Sequence, residues 1–348
     1  MKRLAFSILL VALIMPHTIQ PLAAQDNENT QSGSWCVSVW YPSSEHPAGL
    51  DSITNNLDVI HEVNPFWYTA RPDGSVDLYD GAEDADKLAA WRDAELSILP
   101  TIANASPFAI TDEVRDLHID TVVDLVERMD YDGIDIDYES FPLWTRDDFS
   151  LFIETLATQL HANGRLLSIA VHAKTTDQTP FEGSSAQDWT RLAPAVDLFK
   201  IMTYDYTNRN SREAGPIGPP VWSREVIAYA ATVTDLAKVR LGLHFYGYRW
   251  QRSEVATVTW EGAQRVIESY QLAVERDPVD REAWFRLKVT GLPAQTFYFA
   301  DAAGLEYKLG FILAEYPDLG GVAIWGLGGE DPANWDILRA YQQSECHL

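Results

Sequence analysis

Two hydrophobic periods alternate along this chain. Short apolar runs rich in β-branched and aromatic residues begin near Cys36 (CVSVWY), Val59 (VIHEVNPFWY), Leu96 (LSILPTIAN), Gly133 (GIDIDYE), Leu166 (LLSIAVHAK), Val196 (VDLFKIMTY), Val239 (VRLGLHFYGY) and Gly321 (GVAIWGL). Their length and composition predict strands. Stretches of helical period lie between them. Thr111 to Asp130 places Val114, Leu117, Val122, Val126 and Met129 on one face,. A second helix is expected from Thr145, with Asp148 three residues on as in a capping box, to the residue before Gly164,. Eight strands, each followed by a helix, predict an α/β fold of the (β/α)8 TIM-barrel type, with parallel strands and right-handed crossovers. A doubly wound open sheet is the competing arrangement, but no glycine-rich phosphate fingerprint follows the first strand. The rhythm breaks from Arg249 to Asp301. There a helical pattern (Ala263 to Val274) and two strand-like runs (Trp284 to Val289, Thr296 to Phe299) predict a small α+β insertion between strand 7 and helix 7.

The chain start changes the picture of where the barrel works. Met1-Lys2-Arg3 is basic, Leu4 to Met15 is almost wholly apolar, and Pro16 to Ala24 ends in small residues. This is the pattern of a cleavable secretory signal peptide over residues 1–24, and its apolar run is far short of the ~20 residues that a membrane span needs. Residues 25–34 are polar and rich in breakers, which predicts a flexible mature terminus,. Residues 35–348 then form one catalytic domain containing the insertion 249–301. The expected location is secreted or cell-envelope, with no membrane contact after cleavage, and the expected state is monomeric. The net charge is −25, and loss of Lys2 and Arg3 with the leader makes the mature chain more negative still. Such a surface repels phosphate backbones and excludes nucleic acid as a partner, whereas a neutral polysaccharide is not repelled. The two cysteines, Cys36 and Cys346, lie at opposite ends of the expected domain. In an exported protein they can pair, and two free thiols are the alternative. No Cys/His cluster has metal-site spacing, so no metal is expected.

The segment that carries chemistry is Asp132-Gly133-Ile134-Asp135-Ile136-Asp137-Tyr138-Glu139. A barrel strand is buried on both faces and should be nearly all apolar. This one puts Asp135, Asp137 and Glu139 at alternate positions, hence on one face, with the isoleucines turned toward the helices. Three anions inside a barrel repel one another and lose solvation, so at least one must hold a proton. A buried carboxylic acid of that kind is a general acid for work near neutral pH. The bland alternatives are a surface turn and a calcium loop; isoleucine at alternate positions fits strand better than turn, and the sixth-position glycine and distal Glu of an EF-hand loop are absent.

The same string resembles the D-G-x-D-x-D-x-E signature of glycoside hydrolase family 18, the family of chitinases and endo-N-acetylglucosaminidases. Met202-Thr203-Tyr204-Asp205 is similar to that family's M-x-Y-D, Gly242 to Trp250 to its seventh strand, and Trp325 falls where its eighth strand carries a tryptophan. The likeness runs from about Cys36 to Arg339. It implies a retaining, substrate-assisted glycosidase. Glu139 is then the proton donor, Asp137 orients the substrate's acetamido group, Asp135 supports Asp137 and shares its proton, and Tyr204 hydrogen-bonds the acetamido group with Asp205 beside it. Trp325 becomes the floor under the reacting sugar and Met202 part of the wall. No metal or organic cofactor is implied. Tyr68, Trp67, Trp144 and Tyr248, with Tyr206 and Trp250, lie at or beyond expected strand ends, where aromatic faces stack on sugar rings. His172 and His244 read as hydrogen-bonded strand residues.

The third strand departs from the chitinase pattern. Ser97 to Asn104 (SILPTIAN) replaces S-x-G-G, and with Asn64-Pro65-Phe66-Trp67-Tyr68 it looks more like the bacterial branch of spore-cortex and peptidoglycan N-acetylglucosaminidases. Chitin, peptidoglycan and glycoprotein glycans all stay open as the N-acetylglucosamine-containing partner. Two other readings compete: a non-catalytic sugar-binding lectin on the same fold, and a two-carboxylate hydrolase with Asp205 as its second acid.

Overall fold

The computed structural model describes residues 35–42, 46–106, 110–342 and 346; the expected signal peptide and mature terminus lie outside the described residues. Eight strands form the barrel: β1 (Cys36–Tyr41), β2 (Glu62–Ala70), β3 (Thr101–Asn104), β4 (Gly133–Asp137), β5 (Leu166–His172), β6 (Leu198–Met202), β7 (Val239–His244) and β8 (Gly321–Trp325). Each pairs in parallel with the next, and β8 pairs back onto β1 with Gly321 opposite Cys36. The expected TIM barrel is present. No helix among the described residues is long and apolar enough to cross a membrane.

Alternation along the strands explains the layering. Ile134 and Ile136 of β4 point outward into the core shared with the helices Asp112–Met129 and Arg146–Ala162. Asp135 and Asp137 point inward, and Thr101, Asp135 and Ser168 sit side by side across three strands. The β3 region is broken at Leu99-Pro100. Proline has no N–H for the ladder, and the Pro100 carbonyl instead accepts from Asp135 N at 3.0 Å.

Three local expectations need correction. Leu117 is 54 % exposed, and the buried stripe of its helix runs instead through His118, Ile119, Val122 and Val126. Thr145 makes no capping bond. It ends a 3₁₀ turn, Leu143–Thr145, and its hydroxyl donates to Pro142 O at 2.8 Å. The run expected as one seventh strand is two elements, for β7 stops at His244 and Gly247–Gln251 joins a separate sheet.

That sheet has five antiparallel strands, in the order Glu254–Val258, Gly247–Gln251, Gln295–Phe299, Ala283–Leu287, Glu275–Arg276. One face (Phe285, Leu287, Phe297, Phe299) packs on the helix Trp260–Tyr270. Alternate residues on the other face (Tyr248, Trp250, Trp284, Tyr298) cluster with Tyr204, Tyr246 and Trp325 of the barrel. Its aromatic face thus backs the mouth of the barrel. Cys36 and Cys346 are bonded, 310 residues apart, tying β1 to the segment that follows the helix Ala333–Tyr341.

Candidate active site

A cavity of about 820 Å³ opens at the C-terminal ends of the barrel strands, the face where barrel enzymes place their chemistry,. Asp137, Glu139, Met202, Tyr204, Asp205, Tyr248 and Trp325 all line it.

Below it, Asp135 is fully buried and accepts four hydrogen bonds: from Trp40 Nε1 (2.9 Å), Thr101 Oγ1 (2.8 Å), Ser168 Oγ (2.5 Å) and Lys200 Nζ (3.0 Å). Lys200, equally buried, also donates to Glu62 Oε1 at 2.7 Å and Asn64 Oδ1 at 2.8 Å, and Ser38 Oγ donates to Glu62 Oε2 at 2.7 Å. A hydrogen-bonded ammonium between two carboxylates is how a protein interior tolerates such charges. Four hydrogen bonds thus hold the Asp135 carboxyl in place beneath Asp137, and none of them is to Asp137. Asp137 is 7 % exposed, and its Oδ1 is buried without a hydrogen-bond partner. Burial foremost, then the charges of Glu139 and Asp135, hold its carboxyl well above the usual carboxylate range, with Lys200 opposing.

Glu139 follows β4, and its backbone is clamped. Asn104 Oδ1 accepts from Glu139 N at 2.7 Å while Asn104 Nδ2 donates to Glu139 O at 3.0 Å. The next residue, Ser140, turns left-handed at φ 60°. Burial, then the charge of Asp205, raises the Glu139 carboxyl. Asp205 also sits at positive φ (57°), a conformation aspartate tolerates better than most residues,. It accepts from Tyr246 Oη at 2.6 Å and Tyr248 Oη at 2.9 Å. Burial keeps the Tyr204 hydroxyl protonated far above its ordinary range, and the surrounding carboxylates add to this. Trp325 packs against Phe66 with ring centroids 5.1 Å apart.

Other expected site residues lie elsewhere. Trp67 is fully buried, stacked on Trp91 at 5.7 Å. Tyr68 is buried too, bonded to Tyr131 Oη at 2.8 Å and Glu83 Oε1 at 3.0 Å. The register of β2 against β3 shifts between Phe66 and Tyr68, so Tyr68 pairs with outward-facing Ile102 and only Phe66 reaches the cavity. Such a bulge re-aims side chains. Trp144 is 68 % exposed on the 3₁₀ turn and does not line the cavity. Trp250 is packed behind Tyr248 at 5.7 Å, while Tyr206 does line the cavity, its ring 5.1 Å from Trp222. Both histidines end strands, as expected, and the His172 backbone N donates to Gln187 Oε1, but Nε2 of each is buried without a hydrogen-bond partner, and that of His172 faces Glu139 across the cavity wall. Sequence reasoning missed Trp40, Phe66, Lys200 and Glu62. The signal for Glu62 was present, since Glu62-x-Asn64-x-Phe66 alternates as the acidic strand does.

The closed parallel barrel, with buried acids and aromatic walls at its strand ends, defines a hydrolase of the glycan-cleaving class. The chain belongs to the glycosyl hydrolases family 18, whose model matches residues 51–330, and is a glycosidase of that family. YdhD of Bacillus subtilis is 27 % identical over 295 residues, covering 80 % of this chain and 68 % of that one. The cortical fragment-lytic enzyme of the same organism is 25 % identical over 228 residues, covering 63 % of this chain and 52 % of its own length, so this chain matches about half of that relative. Among solved structures, the chitinase of Chromobacterium violaceum ATCC 12472 superposes with a TM-score of 0.81 at 21 % identity, over 90 % of this chain and all (100 %) of that one.

Proposed function

We propose that this protein is exported by a cleavable leader and hydrolyses β-linked glycans containing N-acetylglucosamine, in chitin or peptidoglycan, by a retaining, substrate-assisted route. The observation that carries this reading is the pairing of two carboxyls that burial raises above their ordinary range, Asp137 and Glu139, with Tyr204 in one aromatic-walled cavity. Glu139 gives its proton to the glycosidic oxygen as the C1–O bond breaks. The substrate's acetamido oxygen closes on C1, the step that sets family 18 apart from two-carboxylate glycosidases. Asp137 accepts from the acetamido N–H through its carbonyl oxygen and orients that group toward C1. Tyr204 donates to the acetamido oxygen, and Asp205, held by two tyrosines, keeps a negative charge near Glu139 that favours its protonated form. Water then attacks C1, giving its proton to the Glu139 carboxylate, and the anomeric configuration is retained. Trp325, backed by Phe66, supports the sugar ring. The names of the relatives, a cortical fragment-lytic enzyme and a chitinase, support both substrate classes.

The test is mass spectrometry of products from N-acetylglucosamine tetramer and from peptidoglycan fragments, with wild type and Glu139→Gln in parallel. Cleavage by wild type, a loss of at least about 10³-fold in the variant and inhibition by a thiazoline mimic of the oxazolinium are expected. Binding without cleavage by wild type would instead support the lectin, and cleavage insensitive to the thiazoline would support ordinary two-carboxylate chemistry.

A further inference from the structure

Outside the acetamido-binding set, one group stands close to the reacting proton without an assigned role. His172 ends β5, the neighbour of the strand that delivers Glu139. Its Nε2 lies 3.4 Å from Glu139 Oε2, and that nitrogen is buried with no hydrogen-bond partner. Among the described residues the Glu139 carboxyl makes no side-chain hydrogen bond, and His172 Nε2 is the only ionisable nitrogen within 4 Å of it.

His172 is braced at the end of its strand. Its backbone N donates to Gln187 Oε1 at 2.8 Å, and the same buried amide donates through Nε2 to the carbonyl of Tyr138 at 3.2 Å. Gln187 thus ties His172 to the residue immediately before Glu139, on the side opposite the Asn104 clamp. The ring meets Phe181 edge-on, centroids 5.0 Å apart. Two side-chain amides therefore brace the strand ends that carry the pair, and an aromatic ring packs against the imidazole.

From this geometry we propose that His172 is a positioning residue for Glu139, donating its Nε2–H to Oε2 and leaving Oε1 to carry the proton to the glycosidic oxygen. The proposal rests on the reading of Glu139 as the general acid. Burial lowers His172 to about 4, so at neutral pH the ring is uncharged and carries one N–H,. The tautomer with that hydrogen on Nε2 is the one that helps. A hydrogen bond given to a carboxylate favours its charged form, so it grows stronger as Glu139 loses its proton in the transition state. Long catalytic hydrogen bonds in a ligand-free site commonly shorten when substrate is bound. The other ionisable groups on the cavity wall are Asp137 on β4, Tyr204 and Asp205 beyond β6, the tyrosines 206, 246 and 248, and Arg209 and His46. Asp205 pushes the Glu139 carboxyl up, and His172 opposes it. The balance sets the pH at which the acid still holds its proton.

The test compares wild type, His172→Phe and His172→Gln by the pH dependence of kcat and kcat/KM on N-acetylglucosamine tetramer, or on peptidoglycan fragments if those are the substrate. Thermal unfolding is recorded for each protein. Phenylalanine keeps the packing on Phe181 and removes the donor, whereas glutamine restores an amide N–H at similar reach. For His172→Phe, kcat is expected to fall about threefold to tenfold and the basic limb to move up by about one pH unit, with KM within about twofold. His172→Gln should recover most of both. A Phe variant that is folded and whose pH profile overlays wild type overturns the proposal, as does a loss of kcat that glutamine does not rescue. Glu139→Gln separates this from the underlying reading. If that variant stays active, the general-acid assignment itself is wrong. If it is inactive while the histidine variants behave as wild type, only the role of His172 falls.

Discussion

Asp137 shows how a single side chain sets function against stability. Its Oδ1 is orphaned in the interior, and its carboxyl is held above the usual range by burial and by two neighbouring acids. The shift is upward, so the folded protein keeps this proton at pH values where the unfolded chain, with an ordinary value near 3.8, has released it. The folded state then binds more protons than the unfolded one, and stability must fall as pH rises through the interval above that ordinary value. Asp137→Asn removes the titration while keeping the shape. It is expected to abolish cleavage, raise stability at pH 7 by on the order of 1 kcal/mol, and flatten the descent of Tm between pH 4 and 7. Differential scanning calorimetry across that range checks it; a variant that is less stable than wild type at pH 7 would refute the account. At this scale the acids were legible because four of them in a strand-like octet contradict burial unless they do chemistry. The donors that make the burial tolerable were not, because Trp40, Thr101, Ser168 and Lys200 come from four other strands and none is unusual in its own segment.

Single strands deliver single groups, and the barrel's interior works by what the strands place side by side. Lys200 on β6 is bonded to Glu62 on β2 and Asp135 on β4, so one ammonium holds together strands more than sixty residues apart in sequence. Lys200→Met leaves two buried carboxylates facing a thioether and is expected to destabilise by about 3–5 kcal/mol. Adding Glu62→Gln to it should recover a substantial part, because one of the two stranded charges is gone. Urea unfolding of the two variants decides the point: a double variant no more stable than the single one would show that the ion pair is not what matters there. The strands themselves were readable from their apolar runs and the helices from their period. What escaped was the fine geometry that redirects side chains. The register shift in β2 turns Tyr68 away from the site, and no local signal in Asn64-Pro65-Phe66-Trp67-Tyr68 announces it. The division of the seventh run was equally hidden. Gly247 is the place, since a Cβ there would lie 2.4 Å from Tyr298 O, and only a glycine lets the two strands cross so closely. Thr145 had the composition of a cap, but the Leu143–Thr145 turn before it had already taken its hydroxyl.

At the level of the whole molecule, a strongly acidic chain with a net charge of −25 is held closed by hydrogen bonds between β8 and β1 and by the Cys36–Cys346 bond across the same seam. With a sequence separation of 310 between the cysteines, the chain-entropy view assigns the crosslink ~6 kcal/mol. Cys36→Ser, or reduction of the wild type, should therefore lower Tm by about 5–10 °C with little change in kcat, because the bond lies at the seam's far end from the cavity. An unchanged Tm would mean that the β8–β1 ladder alone closes the barrel. The two cysteines were visible in the sequence as a possible pair, but only the closure of the barrel brings the first strand and the last segment to one place.

That bond also changes what kind of object the folded chain is. Covalently, the catalytic domain is a ring and not a line, and the ring contains every barrel strand, the five-stranded insertion and all the loops around the cavity. A protease that cuts one exposed loop turns the ring back into a line without releasing anything. Two cuts are needed before a piece can leave. For an enzyme proposed to work outside the cell among other hydrolases, the first injury is then one from which both halves remain tethered, still positioned to close the barrel again.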